Sequence, residues 1–169
     1  MLYGLPPQVS AAHGCLAQAI FYAVVGLAEA SSPGWESAPT LMGARSLAWT
    51  GVLATAVVYG QLILGAVLRH TGSGLWPHVG GAVLAALCVL WLAARVFTEN
   101  PDGPLMGPAR ALAALIGLQF LLGAATAAHQ AAGVSAWEPW LTTLHLGGGA
   151  LVLAASLTAT LRAFRLGRG

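Results

Sequence analysis

The sequence has no lysine and little charge of any kind. Seven arginines and five acidic residues make up its charged set, 7% of 169 residues. A soluble domain devotes about a quarter of its residues to charge, so this chain cannot cover a water-facing surface. Lipid is the solvent its composition fits. The formal net charge of +2 is too small and too dispersed for a nucleic-acid surface, which needs clustered basic residues. Cysteine is scarce too. Cys15 and Cys88 both sit inside apolar runs, which excludes a disulfide scaffold and reads as buried packing. The opening "MLYGLPPQVS" lacks a basic n-region and a short apolar core with a small-residue cleavage site, so no cleavable signal peptide is expected.

What the chain has instead is apolar length: 57% of its residues are hydrophobic, with a mean hydropathy of +0.77. About 20 apolar residues span a bilayer core as a helix. Five runs qualify, at Ala11–Ala30, Ser46–Leu68, Trp76–Val96, Ala109–Ala128 and Trp137–Ala163. None alternates with the period of 2 that a membrane barrel requires. Backbone groups in lipid must be satisfied within their own segment, so these runs are helices. The expected fold is an all-α integral membrane protein of five transmembrane helices, the last four forming a four-helix bundle. The arginines orient it. Arg45, Arg95, Arg110, Arg162, Arg165 and Arg168 fall on one side of a five-span chain and only Arg69 on the other. The positive-inside rule makes the six-arginine side cytoplasmic, with the N-terminus outside and the C-terminus inside. Trp76, Trp137 and Trp140 then lie at outer-face span ends, where interfacial tryptophans gather. The segment "TENPDGPLMGPAR" (98–110) is a Pro- and Gly-rich connector on the inner side.

The chain repeats itself. "QLILGA" (61–66) and "QFLLGA" (119–124) agree at four of six positions. Each leads through a turn to a histidine and small residues, "HVGGAVLAAL" from His78 and "HLGGGALVLA" from His145. Spans 2–3 and 4–5 are therefore two copies of one helix pair. Span 1, with "HGCLAQAIF" from His13, looks like the returning helix of a further pair. The expected organisation is a single helix over residues 1–30 and a bundle over 46–169. Spans 3 and 5 run in the same direction, so as diagonal partners they bring His78 and His145 face to face.

Ionisable groups inside a span are costly and mark function, but a neutral imidazole can also simply bond to a neighbouring helix. Two histidines at repeat-equivalent positions favour metal or heme ligation, since imidazole is a common axial ligand of heme iron. A structural zinc site needs four protein ligands, and no acidic or thiolate residue lies at matching depth. The glycines beside each histidine allow close helix packing or open a slot for a flat macrocycle. His70 and His129 lie at the ends of spans 2 and 4. Arg69 and His70 are placed either for plain solvation or to meet heme propionates by charge-assisted hydrogen bonds. Gln61 and Gln119 read as interhelical hydrogen-bonding residues. Glu29, Glu36, Glu99 and Asp102 lie at the inner side, away from the histidines. Glu138 lies seven residues before His145, roughly 10 Å along a helix.

The segments "QLILGAVLRHTGSGLWPH", "LQFLLGAATA", "LHLGGGALVLAA" and "HGCLAQAIFYAVVGLAEASSPGW" resemble the heme A synthase family of cytochrome oxidase assembly proteins. The family has eight transmembrane helices in two similar four-helix halves, with a histidine on the second and fourth helix of each half. The resemblance covers the fourth to eighth helices. It matches His13 to the last ligand of the first half, and His78 and His145 to the ligand pair of the second. It matches "RHTGSG" (69–74) to an outer-loop motif. It implies a b-type heme on His78 and His145 and a bacterial plasma membrane. It also implies an oxidoreductase that takes part in converting heme O to heme A, by oxidising a ring methyl to a formyl group.

The family's first three helices, its outer-loop cysteine pair and its acid one turn before the first histidine have no counterpart here. Leu75 and Ser10 stand three residues before His78 and His13. The expectation is thus a partial or short form whose catalytic residues are not identified. It would bind heme and the lipid bilayer, and would complete itself as a homo-oligomer or with a complementary subunit. Two other readings stay open: a non-catalytic heme-binding electron-transfer or assembly module, and a structural subunit without heme.

Overall fold

The computed structural model describes residue 4 and residues 6–36, 39–100, 103–133 and 138–168. Asp102 and Trp137 lie outside the described residues, and only the backbone of Glu138 is described. The chain folds as five helices: α1 (Pro7–Ala30), α2 (Ala44–Thr71), α3 (Leu75–Glu99), α4 (Met106–Ala131) and α5 (Glu138–Leu166). Each is long and apolar enough to cross a membrane, so the chain is an all-α integral membrane protein. At 24 to 29 residues the helices measure about 36 to 44 Å, more than the roughly 30 Å hydrocarbon core.

Every helix is longer than the apolar run that predicts it. Proline helps set the beginnings. Pro7, Pro77, Pro108 and Pro139 each fall in a first turn, where the missing N–H would have no helical acceptor anyway. The end of α2 is set by glycine. Arg69, His70 and Thr71 remain helical until Gly72, at φ 67°, donates its N–H to Leu68 O and stops the helix. Gly74, at φ 89°, then starts α3. These left-handed conformations are easy only for a residue without Cβ. They compress the α2–α3 connection into a tight turn and leave Arg69 and His70 on the last turn of α2.

Helix α2 packs against α3 and α5, and α4 packs against α3 and α5. The four form a ring in which α3 and α5 sit across from each other. Helix α1 packs outside the ring against α2 and α5. Two polar contacts tie it there. Tyr59 Oη donates to Cys15 O at 3.1 Å, and Arg162 grips Glu29 through Nε (2.6 Å) and Nη2 (3.2 Å).

The packing differs between the two ends. Leu47, Ala54, Val89, Leu92, Leu112 and Leu153 anchor one apolar core. Most of it lies in the half toward the arginine-rich ends of the helices, with Val58, Ala85 and Ala86 near mid-helix. Helices do not associate in lipid to hide from water, so close approach and interhelical hydrogen bonds must hold them. The tightest approach is α2 on α5. A Cβ on Gly51 would lie 3.1 Å from Thr160 Cα. One turn along, the buried Thr55 and Thr160 hydroxyls are 3.1 Å apart. Thr160 Oγ1 donates to Ser156 O at 2.7 Å, so Thr55 is the donor between them. Arg95 seals the α2–α3 seam, donating to Thr50 Oγ1 (2.6 Å), Ser46 Oγ (3.2 Å) and Glu99. In the other half, residues 59–71, 75–84, 117–131 and 139–151 contain no buried residue except Gly148.

This packing predicts that Gly51→Leu, which inserts four carbons where not even one fits, destabilises the fold by about 1–3 kcal/mol. Thermal unfolding in detergent should show a lower Tm for Gly51→Leu than for Gly60→Leu. A Cβ at Gly60 meets nothing within 4 Å.

Candidate functional site

The loosely packed half holds the histidines. His78 is in the first turn of α3, and His145 lies two turns into α5. Their rings face each other across the helix ring, with centroids 6.3 Å apart and planes at 76°. Both are half-buried. The repeat in the sequence thus becomes a pair of imidazoles in space.

Each imidazole sits on a seat made by its own helix pair, and the two seats match residue for residue. His78 lies against Gly65 of α2, where a Cβ would come 3.2 Å from its Cε1. His145 lies against Gly123 of α4, at 3.3 Å by the same measure. Gln61 Nε2 donates to His78 O at 2.9 Å, and Gln119 Nε2 donates to His145 O at 3.0 Å. The two amides reach the backbone of the next helix because Gly81 and Gly148 face them. A Cβ at either glycine would overlap the glutamine side chain. The motifs Q-x-x-x-G and H-x-x-G are therefore two halves of one interlock. The small residues make room for a polar side chain and a ring, not only for helix contact.

The seats differ at the ring. Gln61 Nε2 also lies 3.0 Å from His78 Nδ1, within hydrogen-bond distance. Among the described residues, His145 Nδ1 and Gln61 Oε1 are buried without a hydrogen-bond partner.

The remaining predicted residues are not all brought to this pair. Arg69 is exposed and His70 half-buried on the last turn of α2, and neither bonds to the described residues. His129 bonds its own helix, Nδ1 to Ala125 O at 3.0 Å. His13 is exposed near the start of α1, outside the ring of α2–α5. Glu29 and Glu99 lie at the opposite end, taken up by Arg162 and Arg95. Cys15 and Cys88 are free thiols. Two cavities of about 440 and 320 Å³ also open at that opposite end, the first beside Asn100 and Glu99, the second beside Glu29 and Arg162. Neither includes a histidine.

The donor set narrows the chemistry. Among the described residues, no three of His, Cys, Asp and Glu come together as a metal-binding group. Two imidazoles cannot complete a four-coordinate protein site, but they match the two axial positions of heme iron. With a metal–nitrogen bond of about 2 Å and a ring centre roughly 1 Å behind each nitrogen, two imidazoles on one metal have centres about 6 Å apart. The observed 6.3 Å fits. A half-bundle in which the described side chains are not buried fits a macrocycle between these helices as well. The interhelical hydrogen bonds of Gln61 and Gln119 are those expected from the sequence; the role of the paired glycines comes from tertiary geometry, and its sequence signal is the shared spacing of the two repeats.

No family model, curated protein or solved structure matches this chain.

Proposed function

We propose that this chain is a membrane heme-binding protein of the heme A synthase family. It takes part in the conversion of heme O to heme A for cytochrome oxidase assembly. The observation that carries the proposal is the facing pair His78 and His145, 6.3 Å apart at repeat-equivalent positions. These two imidazoles hold a b-type heme through its iron, which supplies the redox centre. Arg69 and His70, on the helix turn nearest the α2–α3 connection, meet the heme propionates. His13 serves a second heme position that a further subunit, another copy or an adjoining segment would complete. The protein sits in a bacterial plasma membrane with its N-terminus outside and its arginine-rich face in the cytoplasm.

One observation favours a non-catalytic reading beside it. Oxidising a methyl group requires a group that manages protons. Glu29 and Glu99 lie at the end away from the histidines and are ion-paired, and Glu138, which begins α5, stands two turns before His145. On this second reading the chain carries heme for electron transfer or assembly, and the oxidation occurs elsewhere.

Three measurements separate these readings. The purified protein loaded with heme should show a six-coordinate low-spin spectrum. His78→Ala and His145→Ala should each give a five-coordinate spectrum or lose the heme. An unchanged low-spin spectrum in both variants would place the ligands elsewhere, and an absence of heme would leave only a structural role. Expression in a host lacking its own synthase distinguishes catalysis, which yields heme A, from heme carriage, which does not. For orientation, a reporter fused after Gly169 should be active only in the cytoplasm; external activity would reverse the assignment.

A further inference from the structure

We infer that Gln61 is a positioning residue that holds the His78 imidazole nearly perpendicular to that of His145. The inference rests on the heme reading above and assigns a residue that controls the geometry of the same site.

The argument starts from the two seats. Their backbone contacts are equivalent: each glutamine donates to the histidine carbonyl, and each reaches it over a glycine. Only Gln61 also touches a ring, at Nδ1, 3.0 Å away. The Nδ1–Cε1 edge of the His78 ring thus meets both the amide and Gly65 of α2, where a Cβ would lie 3.2 Å from Cε1 and 3.5 Å from Nδ1. Rotation about its Cβ–Cγ bond would break the amide contact or drive the ring into α2. His145 rests against Gly123, and its buried Nδ1 has no hydrogen-bond partner among the described residues. A ligating histidine normally has its second nitrogen fixed by an outer hydrogen bond. Gln61 carries both a donor and an acceptor, and its Oε1 is buried with no partner among the described residues. Against an unprotonated Nδ1 the amide donates through Nε2 while keeping its bond to His78 O; against a protonated Nδ1 it holds the ring by turning Oε1 toward it and gives up the bond to His78 O.

The consequence is electronic. The relative orientation of two axial imidazoles sets the splitting of the iron d orbitals that overlap their π systems. Parallel rings split those orbitals. Rings near 76° leave them close in energy, and oxidised low-spin iron then gives a highly anisotropic electron paramagnetic resonance signal. Freeing one ring lets the pair relax toward parallel and moves the signal toward the ordinary rhombic type.

The test uses the full chain loaded with heme, with Gln61→Met and Gln119→Met compared side by side. Methionine keeps the length and loses the amide. Both variants remove an amide seated over a glycine of the next helix, so a purely structural role affects them alike. A positioning role separates them. Gln61→Met should shift the signal toward the rhombic type and weaken heme binding by about tenfold, at the lower end for an outer-shell partner. Gln119→Met should shift the signal less. Should Gln61→Met not retain heme, Gly81→Ala reaches the same ring, because the added Cβ displaces the Gln61 amide. It should move the signal in the same direction. Equal shifts in the two glutamine variants, or an unchanged signal in heme-loaded Gln61→Met or Gly81→Ala, would overturn the inference while leaving heme binding intact. Failure of the unmodified chain to bind heme through His78 and His145 would instead overturn the function on which it rests.

Discussion

In lipid, a helix gains nothing by hiding its apolar face from its solvent, and everything else in this fold follows from that. Association must come from close backbone approach and from polar groups that find partners. The α2–α5 seam has both. Gly51 leaves no room between itself and Thr160, and Thr55 donates to the Thr160 hydroxyl in a buried position. Helix α1 lacks a comparably tight seam. It is held by the Tyr59 hydroxyl and by the Glu29–Arg162 pair, and its long side chains, such as Leu16, Val24 and Leu27, remain exposed. In a bilayer those side chains face hydrocarbon, where exposure costs nothing.

The same constraint explains why the molecule has two unlike halves. The half toward the arginine-rich ends is packed by Leu, Val, Ala and Thr. The histidine half puts glycine, glutamine and histidine at its helix contacts, so it is held by a few polar bonds. Gln61 and Gln119 each spend an amide on a carbonyl that the helix already uses, which adds only a fraction of a kcal/mol in membrane proteins. Stability alone would not call for a glutamine and a matching glycine at both places. What they do is tie the turns that carry the histidines to the neighbouring helix.

Much of this was legible in the sequence, and the reasons are physical. Five helices follow from apolar length, because no other element satisfies its backbone within a membrane. The His78–His145 pair followed from the repeat, because equivalent helices running the same way put equivalent residues at like depths. Helix ends were less legible. Arg69, His70 and Thr71 are polar, yet α2 continues through them, since a membrane helix ends where its backbone is stopped and not where its hydropathy falls. The seats were least legible. That Gly81 admits Gln61, or that Gly65 supports the His78 ring, depends on the rotation of one helix against another. The glycines adjoining each histidine were visible, but Gly80 and Gly147 meet nothing within 4 Å. The third residue after each histidine is the one that lies tightly against its glutamine, with Gly149 a further 3.9 Å contact on Gln119 Nε2.

The difference between the two seats has its origin in helix α2, which serves both. Gln61 faces α3 and the His78 ring. The next residue, Leu62, faces α5, where a Cβ on Gly149 would lie 2.9 Å from Leu62 Cδ2. Gly149 is the one place where the histidine motifs differ in bulk near this contact, its counterpart after His78 being Ala82. The extra glycine lets α2 stay close to α5 beyond the Gly51–Thr160 seam, so the close approach runs from the packed half into the open one. A single helix thereby sets the positions of both histidine-bearing helices, through adjacent side chains on different faces. Helix α4 has no such double duty: Gln119 addresses only α5. Duplication supplies two equal seats, and the asymmetric place of α2 in the ring makes their occupants unequal.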